Sequence, residues 1–280
     1  MNSTASLYVV ATPIGNLQDI TLRALEILKT VDAIAAEDTR HTAHLLTHFG
    51  IQKKMIAVHQ HNEHKSAELL LQRLQSGESI ALVTDAGTPG ISDPGAIVVD
   101  VLRNAGVNIV PVPGASAVIT ALSASGITAT GFSFIGFLPA SGSQRRKSLE
   151  QLKARPDTLV FYEAPHRIVE CIEDLASVLG GDRQVTIARE LTKTFETFHR
   201  CLLSEAKDWL LADPNQQRGE FVVLVQGLPP QEEAAISAEG ERTLRLLLAD
   251  LPLKQAVKLA VEITGIKKNL LYEFALTLKS

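Results

Sequence analysis

The chain has little cysteine, with Cys171 and Cys201 alone in 280 residues, and it lacks several motifs that would assign a class. Two cysteines exclude a disulfide scaffold and a cysteine-rich zinc site, and they fit a reducing compartment. The sequence has no Gly-Lys-Ser/Thr phosphate loop, no Gly-x-Gly-x-x-Gly fingerprint and no Gly-x-Ser-x-Gly elbow. Classical ATP-binding, dinucleotide-binding and serine-hydrolase functions therefore lose support.

An excess of positive charge is also missing. Lysine and arginine number 27 against 31 acidic residues, which gives a formal net charge of -4. A protein that grips nucleic acid along its whole surface is basic, so any RNA or DNA partner must be held by a local patch. Hydrophobic residues make up 45% and charged residues 21%, an ordinary globular composition that excludes disorder as the main state.

The sequence lacks an export or membrane signal. No basic segment precedes the first apolar run, Leu7 to Ala11, which is too short for a signal-peptide core. Residues 104–144 contain no Asp, Glu, Lys or Arg, but prolines and glycines interrupt them repeatedly. This segment predicts core strands, a buried helix and a neutral pocket wall, since no window approaches the ~20 unbroken apolar residues of a spanning helix. We expect a cytoplasmic protein with no membrane partner.

Strand-like and helix-like runs alternate along the first 228 residues, which predicts two α/β domains, residues 1–113 and 114–228. The first domain should hold a largely parallel sheet, and the second a sheet that is partly antiparallel. Early in the first domain, Asp19 is a predicted cap for a helix whose apolar face is Leu22, Leu25 and Leu28.

The composition shifts after Leu228. Residues 229–280 are predicted to form an acidic linker, in which Pro229 and Pro230 are followed by Glu232, Glu233, Glu239 and Glu241, and then a small helical tail. Two apolar stripes separated by Gly265 resemble a helix-turn-helix unit. Residues 251–280 carry five lysines, Lys267 and Lys268 among them, against two glutamates. The tail is either a helical hairpin that covers an edge of the second domain or a nucleic-acid contact.

Four loops of unusual composition follow predicted strands, at residues 11–17, 37–40, 85–95 and 113–117. Open parallel sheets bind ligands at the carboxyl ends of their strands. The third loop packs three glycines and two prolines into eleven residues, so its backbone is shaped and fairly rigid. Its carboxylates, Asp85 and Asp93, suit a ligand with ribose hydroxyls and an ammonium group. A purely structural turn is the alternative.

Six of the eight histidines lie between positions 41 and 64. His44 and His48 have the i, i+4 spacing of two metal ligands, but the Glu of a zinc protease motif is missing, so exposed helix histidines explain them and no metal is predicted. The group around His61 follows a predicted strand and could line a cleft. A basic cluster that begins with Arg145 and Arg146 is either a solvated helix face or a phosphate contact.

Five motifs in order carry a resemblance to a known family: ATPIGNL at 11–17, EDTR at 37–40, DAGTPGISDPG at 85–95, FYEAPHR at 161–167 and ARELTK at 188–193. With them, the chain resembles the bacterial small-subunit ribosomal RNA ribose 2′-O-methyltransferase I family of the tetrapyrrole-methylase superfamily, over essentially its whole length. The resemblance implies two α/β domains with S-adenosylmethionine (SAM) in the cleft between them, and a homodimer. It implies a cytidine ribose in the decoding region of 16S ribosomal RNA, within the small ribosomal subunit, as the substrate.

By superfamily analogy, the resemblance places the cofactor contacts at Pro13, Asp85, Ala86, Gly87, Thr88, Ser116, Ala117, Tyr162, Leu191, Gly219 and Glu220. A ribose hydroxyl is a poor nucleophile and needs a general base, for which the candidates near the cleft are Asp38, His61, Glu163 and Lys193. Asp38 and Arg40 are expected to orient the nucleotide, and RNA phosphates to meet Arg145, Arg146, Lys267 and Lys268.

Two alternatives stay open at this point. One is a SAM-dependent methylase of a tetrapyrrole or another small molecule, although a small substrate needs no basic helical tail. The other is an RNA-binding factor without enzymatic activity, although the full set of glycine- and proline-rich loops argues against it.

Overall fold

The computed structural model describes residues 5–59, 62–128, 131–228, 236 and 238–278. The chain forms two compact units, Met1–Leu228 and Pro229–Ser280. The larger unit contains two five-stranded sheets, and the smaller one contains helices only among its described residues.

The first sheet is entirely parallel and has the strand order β3-β2-β4-β1-β5. Its strands are β1 (Ser6–Val10), β2 (Ala33–Ala36), β3 (Lys54–Ala57), β4 (Ile80–Val83) and β5 (Asn108–Val112). Every residue of β2 and β4 is buried. Short runs of small and branched apolar residues form these strands because helices cover both faces of the sheet.

Four helices flank this sheet: α1 (Leu22–Thr30), α2 (Thr39–His48), α3 (Glu63–Gln75) and α4 (Ala96–Asn104). Helices α1 and α2 pack on one face, where Ile34 and Ala36 of β2 point. Helices α3 and α4 pack on the other, where Ala35 points. This alternation is the period-two pattern of a strand that is buried on both sides.

Helix α1 begins two residues later than predicted. Thr21, rather than Asp19, is its cap, and the Thr21 hydroxyl accepts a hydrogen bond from the Ala24 amide at 3.0 Å. Asp19 lies in a preceding 3-10 turn, Leu17–Asp19. The predicted inward position of Leu22 is also wrong, since this side chain is 86% exposed as the first helical residue.

The second sheet is mixed, with the order β6-β7-β10-β8-β9. Its strands are β6 (Phe132–Phe137), β7 (Thr158–Glu163), β8 (Gln184–Arg189), β9 (Thr197–Leu202) and β10 (Phe221–Val225). Only the β6–β7 pair is parallel. Helices α6 (Gly142–Leu152), α7 (Ile168–Leu179) and α8 (Leu203–Ala212) contribute to the core on one face.

A single helix, α5 (Ala117–Ala124), packs on the opposite face of the second sheet. Val118 and Ala121 of this helix share a core with Val160 and Val222 of the sheet. Ile14, from the loop after β1, joins the same core. The α/β prediction, with two sheets and a helical tail, is therefore confirmed, and apolar packing ties the first sheet's loops to the second sheet.

The described part of the smaller unit has three helices where the sequence predicted two: α9 (Ala238–Asp250), α10 (Leu253–Thr264) and α11 (Lys268–Thr277). Their buried side chains form a core of their own: Leu244, Val257, Ala260, Leu271 and Ala275. Gly265 ends α10 with a φ of 69°, which glycine adopts without strain.

The predicted linker is wrong at Glu239 and Glu241, which stand in the first turn of α9, where acidic side chains favour a helix. Four of the predicted linker residues lie outside the described residues: Pro229, Pro230, Glu232 and Glu233. Among the described residues, no helix has the length and apolarity to cross a membrane.

Candidate active site

Loops from the carboxyl ends of β1 and β4 are bonded to each other. Thr12 and Gly87 exchange two backbone hydrogen bonds of 2.9 and 3.0 Å. Gly87 has a φ of 83°, which favours glycine at this crossing. The Thr12 hydroxyl donates to the Thr84 carbonyl at 3.1 Å, and the Thr88 hydroxyl donates to the Ala115 carbonyl at 3.2 Å. These hydrogen bonds connect three of the four loops that the sequence singled out, at residues 11–17, 85–95 and 113–117.

The loop after β1 also touches the loop after β8. The Asn16 amide donates to the Thr192 hydroxyl at 3.1 Å. A Cβ atom on Gly15 would lie 2.5 Å from Lys193 Cγ and 2.9 Å from the Leu191 carbonyl oxygen, so only glycine fits here without displacement. Thr192 has a φ of 62°, a conformation that costs free energy for a non-glycine residue. The ARELTK motif therefore contacts the loop after β1, and its backbone is strained at Thr192.

A cavity of about 420 Å³ opens where the loops of the two sheets meet. Most of the predicted cofactor residues line it: Asp85, Ala86, Gly87, Thr88, Ser116, Ala117, Tyr162, Leu191 and Glu220. Pro13 and Gly219 are outside the lining. Pro13 is buried beside Ile14, which takes its place in the wall, and Gly219 lies against the Glu190 side chain.

Sequence reasoning missed about half of the lining. The additional residues are Ile14, Glu37, Ile91, Ser92, Phe137, Ala164, Pro165, Phe221 and Val222. The cavity is also lined by Asp93, which the sequence offered as a ligand-binding carboxylate, and by the base candidate Glu163. Glu37 and Ser92 stand inside motifs that the sequence did single out. Phe221 and Val222 carried no signal, because a buried strand and a cavity wall have the same composition.

Three carboxylates gather at one end of the cavity. Glu37 Oε2 accepts the Thr84 hydroxyl at 2.6 Å, and Asp85 Oδ1 accepts the Asp38 amide at 3.1 Å. Burial, together with the negative charges of Glu37 and Asp85, raises the pKa of Asp93 to about 6. A neighbouring pair of carboxylates raises a pKa in this way because a second ionisation is opposed by the first.

Tyr162 forms the aromatic part of the wall. Its ring packs edge-on against Phe134 and Phe137, with centroids 4.9 and 5.7 Å away. Burial raises the pKa of Tyr162 to about 12, although the Val118 amide donates a hydrogen bond to its oxygen. The phenol thus stays neutral near pH 7 and sits at the N-terminus of α5, whose cap residue Ser116 makes no side-chain hydrogen bond there.

Two of the predicted general bases, Asp38 and Lys193, already form ion pairs with other side chains. Hydrogen bonds from Arg40 hold the pKa of Asp38 at about 2, and the carboxylate points away from the cavity into an ion pair of 2.9 Å. The Lys193 ammonium donates to Glu190 and Glu220, each at 2.8 Å. Burial lowers the pKa of Lys193, but these two partners outweigh it and raise the pKa overall. Neither side chain is a ready proton acceptor near neutral pH.

Glu163 is fully buried at the floor of the cavity. Its Oε1 accepts the Ala164 amide at 2.8 Å and pairs with Arg167 Nε at 3.2 Å. Its Oε2 has no N–H or O–H donor among the described residues, and the nearby Cys171 thiol is a weak donor. His61 lies outside the described residues.

The predicted phosphate contact at Arg145 is wrong. Its side chain is 3% exposed, and its Nε donates to Asp174 at 2.6 Å. Arg146 is half-exposed and donates to the other oxygen of Asp174 at 2.9 Å. The basic cluster therefore contains a buried ion pair between α6 and α7, and of these two arginines Arg146 is the accessible one.

The smaller unit carries a separate groove of about 700 Å³ between α10 and α11. Three exposed lysines line it, Lys254, Lys258 and Lys268, together with Asn269 and Tyr272. Glu262 and Glu273 also line it. Lys267 is exposed next to the groove, at the start of α11. Cations beside an aromatic ring are typical of a surface that contacts RNA.

No group of three potential ligands for a metal ion occurs among the residues that the structure describes. His41, His44 and His48 are exposed on α2.

Two family models match the chain. Residues 6–207 match the tetrapyrrole (corrin/porphyrin) methylases, and residues 234–279 match the RsmI C-terminal HTH domain. Curated relatives match nearly end to end. The ribosomal RNA small subunit methyltransferase I of Escherichia coli O157:H7 is 54% identical over 98% of this chain and 96% of its own length. That of Pseudomonas aeruginosa is 53% identical over 98% of both chains.

Solved structures share the fold at low identity. The methyltransferase CobJ superposes with a TM-score of 0.60 at 19% identity, over 80% of this chain and 94% of its own. A uroporphyrin-III C-methyltransferase from Thermus thermophilus, complexed with S-adenosyl homocysteine, superposes with a TM-score of 0.57 at 19% identity, over 79% and 97%. Diphthine synthase superposes with a TM-score of 0.58 at 17% identity, over 79% and 90%.

Proposed function

The chain belongs to the tetrapyrrole (corrin/porphyrin) methylase family, and from this premise we propose that it methylates the 2′-hydroxyl of a cytidine ribose in the decoding region of 16S ribosomal RNA. The observation that carries the proposal is the near-complete match to relatives named for small-subunit ribosomal RNA. That match includes the tail, which has a family model of its own.

The cofactor is S-adenosylmethionine, and the cavity suits it. A volume of about 420 Å³ is within the usual range for small-molecule sites. Apolar side chains, Ile14 and Leu191, face carboxylates that can accept bonds from hydroxyl and ammonium groups.

Bound there, the cofactor supplies a methyl group on a positively charged sulfur. The residues around it have three tasks. The rigid loops fix the relative position of donor and acceptor, which removes much of the entropic barrier of a bimolecular step. The carboxylate of Asp85 favours the cationic side of the cofactor. The apolar wall around Tyr162 excludes water, which would compete with the hydroxyl.

The RNA contacts in the proposal lie outside the cavity. The lysine groove of the tail offers positive charge to phosphates, and Arg40, whose side chain is 88% exposed, offers a guanidinium close to the cavity's entrance loops. Arg40→Ala is therefore expected to weaken RNA binding without changing SAM affinity. Unchanged RNA affinity and turnover in this variant would remove Arg40 from the proposal.

A homodimer in the cytoplasm, acting on the small ribosomal subunit, completes the proposal. Large apolar side chains are exposed on the larger unit, including Leu22, Ile119 and Phe195, and they supply surface that an interface could cover. Sedimentation equilibrium at micromolar concentration tests this part: a mass of about twice 30.2 kDa is expected, and a monomer mass would contradict it.

Methylation of a small molecule is the second candidate function. The tetrapyrrole enzymes favour it by their fold, but they are under 20% identical and cover only about 80% of this chain. To decide, equal amounts of small subunits, large subunits and a reduced uroporphyrin are offered with radiolabelled SAM. We expect label on small subunits alone. Label on the porphyrin alone would favour the second function.

A variant of the first loop checks the cofactor site. Gly15→Ala places a methyl group where Lys193 Cγ and the Leu191 carbonyl now lie, so the two loops must separate. Because Ile14 and Leu191 both line the cavity, we expect SAM affinity to fall by about tenfold, measured by calorimetry. Gly131→Ala controls for substitution of a loop glycine elsewhere, because Gly131 has no positive φ and its Cβ would meet only Asp157 Cβ at 4.0 Å. Equal SAM affinity in the Gly15 variant and the native chain would contradict the assignment.

A further inference from the structure

A second, smaller cavity adjoins the cofactor cavity. Its volume is about 360 Å³, and its lining is Glu37, His59, Glu63, Ser92, Asp93 and Pro94. Glu37, Ser92 and Asp93 line both cavities and thus form their common wall. Ser92 has a φ of 66°, so the loop is strained at this wall. Strain of this kind concentrates where a fold holds functional groups in place.

The negative charge of the smaller cavity determines which ligands it can bind. Glu37, Glu63 and Asp93 face it, and Glu63 is 7% exposed, with its Oε2 accepting the Gly95 amide at 2.9 Å. Such a wall repels phosphate and accepts hydrogen bonds from hydroxyl and amino groups. Carboxylates pair in this way with the exocyclic amino group of cytosine. The nucleoside part of an RNA fits this chemistry, and its phosphates belong outside.

We propose that the smaller cavity receives the acceptor nucleoside and that Asp93, on the wall shared with the cofactor cavity, accepts the proton of its 2′-hydroxyl. This inference rests on the proposed function and adds to it the binding site of the acceptor nucleoside and the identity of the general base. As the hydroxyl oxygen bonds to the methyl carbon, its proton passes to a carboxylate oxygen of Asp93 and then to solvent. The positive charge of the methyl donor is discharged at the same time, leaving a neutral thioether.

The hydrogen bonds around Asp93 leave it free for this task. The Thr84 hydroxyl is within reach of both Glu37 and Asp93, but its single proton goes to Glu37 Oε2 at 2.6 Å. Asp93 then lacks this hydrogen bond, and the 2′-hydroxyl of an entering nucleoside can donate one in its place. Asp85 lines the cofactor cavity only, and one of its oxygens accepts the Asp38 amide, so it is placed for the cofactor rather than the acceptor.

The groups around Asp93 also give it a pKa that suits a general base near neutral pH. With a pKa of about 6, Asp93 is ionised at pH 7 and is a stronger base than an ordinary aspartate. The ionisable groups that face it or share its cavities are Glu37 after β2, His59 after β3, Glu63 of α3, Asp85 after β4, Tyr162 and Glu163 of β7, and Glu220 before β10. The rate of methyl transfer should therefore rise with pH, with an inflection near 6, and level off above it.

Asp93→Asn tests the proposal, with Asp100→Asn on the exposed side of α4 as the matched control. Single-turnover methyl transfer to small subunits is measured at saturating SAM between pH 5 and 9, and SAM affinity is measured by calorimetry. We expect the rate to fall by about 10² to 10⁴-fold, and the inflection near pH 6 to disappear. SAM affinity should stay within threefold. Asp93→Glu keeps a carboxylate and should retain a pH inflection at a reduced rate.

Three results would overturn the proposal. A rate within threefold of the native enzyme would show that Asp93 is dispensable. A parallel loss of SAM affinity would make Asp93 a cofactor ligand. An inflection that persists in Asp93→Asn would assign it to another group. If the native protein binds SAM but leaves small subunits unmethylated, the proposed function itself fails, which is distinguishable from the other outcomes because they require an active native enzyme.

Discussion

Replacing Lys254, Lys258 and Lys268 together by alanine is expected to weaken binding to the small ribosomal subunit by about 10²-fold at about 0.1 M monovalent salt. These side chains line one groove of the smaller unit and are exposed. Each phosphate contact that is lost removes roughly 0.7–0.9 from the slope of log affinity against log salt concentration. Three contacts then lower the slope by about 2–3, which corresponds to that loss of affinity. The measurement is a salt titration of subunit binding.

The same variant should bind SAM with the native affinity, since the cofactor cavity belongs to the larger unit. Its fold should be intact because the core of the smaller unit is made of other residues, such as Leu244 and Leu271. Lys29→Ala, on exposed α1, is the control for loss of a surface lysine. An unchanged salt slope in the triple variant would assign the groove no phosphate contact and would favour the tail as a purely structural cover.

Arg145→Ala should destabilise the larger unit by about 3–5 kcal/mol. The substitution leaves Asp174, which is 11% exposed, paired only with the half-exposed Arg146, and removing one partner of a buried ion pair costs this much. For a unit of this size, the loss lowers the melting temperature by roughly 6–20 °C. Thermal and urea unfolding followed by circular dichroism measure it.

Arg146→Ala is the matched variant, because it removes the other guanidinium that Asp174 accepts from. Its side chain is 53% exposed, so water replaces it and the expected loss is under about 1 kcal/mol. A similar loss in both variants would mean that the pair is not buried in solution. A large fall in RNA affinity for folded Arg145→Ala, with native stability, would restore the phosphate contact that the sequence predicted.

The loops were predictable because composition itself limits their structure. Three glycines and two prolines between Asp85 and Gly95 leave few conformations, and the position after a parallel strand places the loop at the ligand-binding edge. The cavity wall at Asp85 to Thr88 follows from those two facts. Tyr162 and Leu191 came from the family resemblance, since nothing in their immediate sequence indicates a cavity.

The partners of charged side chains were not predictable. Arg145 and Arg146 are neighbours in one basic cluster, yet one is buried and one is exposed, because Asp174 on the next helix meets Arg145 from inside. Asp38 and Asp93 are likewise both acidic loop residues. Arg40 lies beside the first and lowers its pKa, whereas burial and two other carboxylates raise the pKa of the second. Contacts between distant segments decide these differences.

Helix α9 was missed for a related reason. Its first turn is acidic and follows a pair of prolines, a composition typical of linkers. The helix forms because Leu244 joins the core of α10 and α11. Tertiary packing thus outweighs the local signal, as is usual for short amphipathic helices.

Methyl transfer from radiolabelled SAM to small ribosomal subunits, taken from cells that lack this gene, tests the central claim most directly. The RNA is extracted, digested to nucleosides and separated. The account predicts that the label is recovered as 2′-O-methylcytidine from 16S ribosomal RNA. Label on a base, or no label on the subunit while SAM binding is intact, would contradict it.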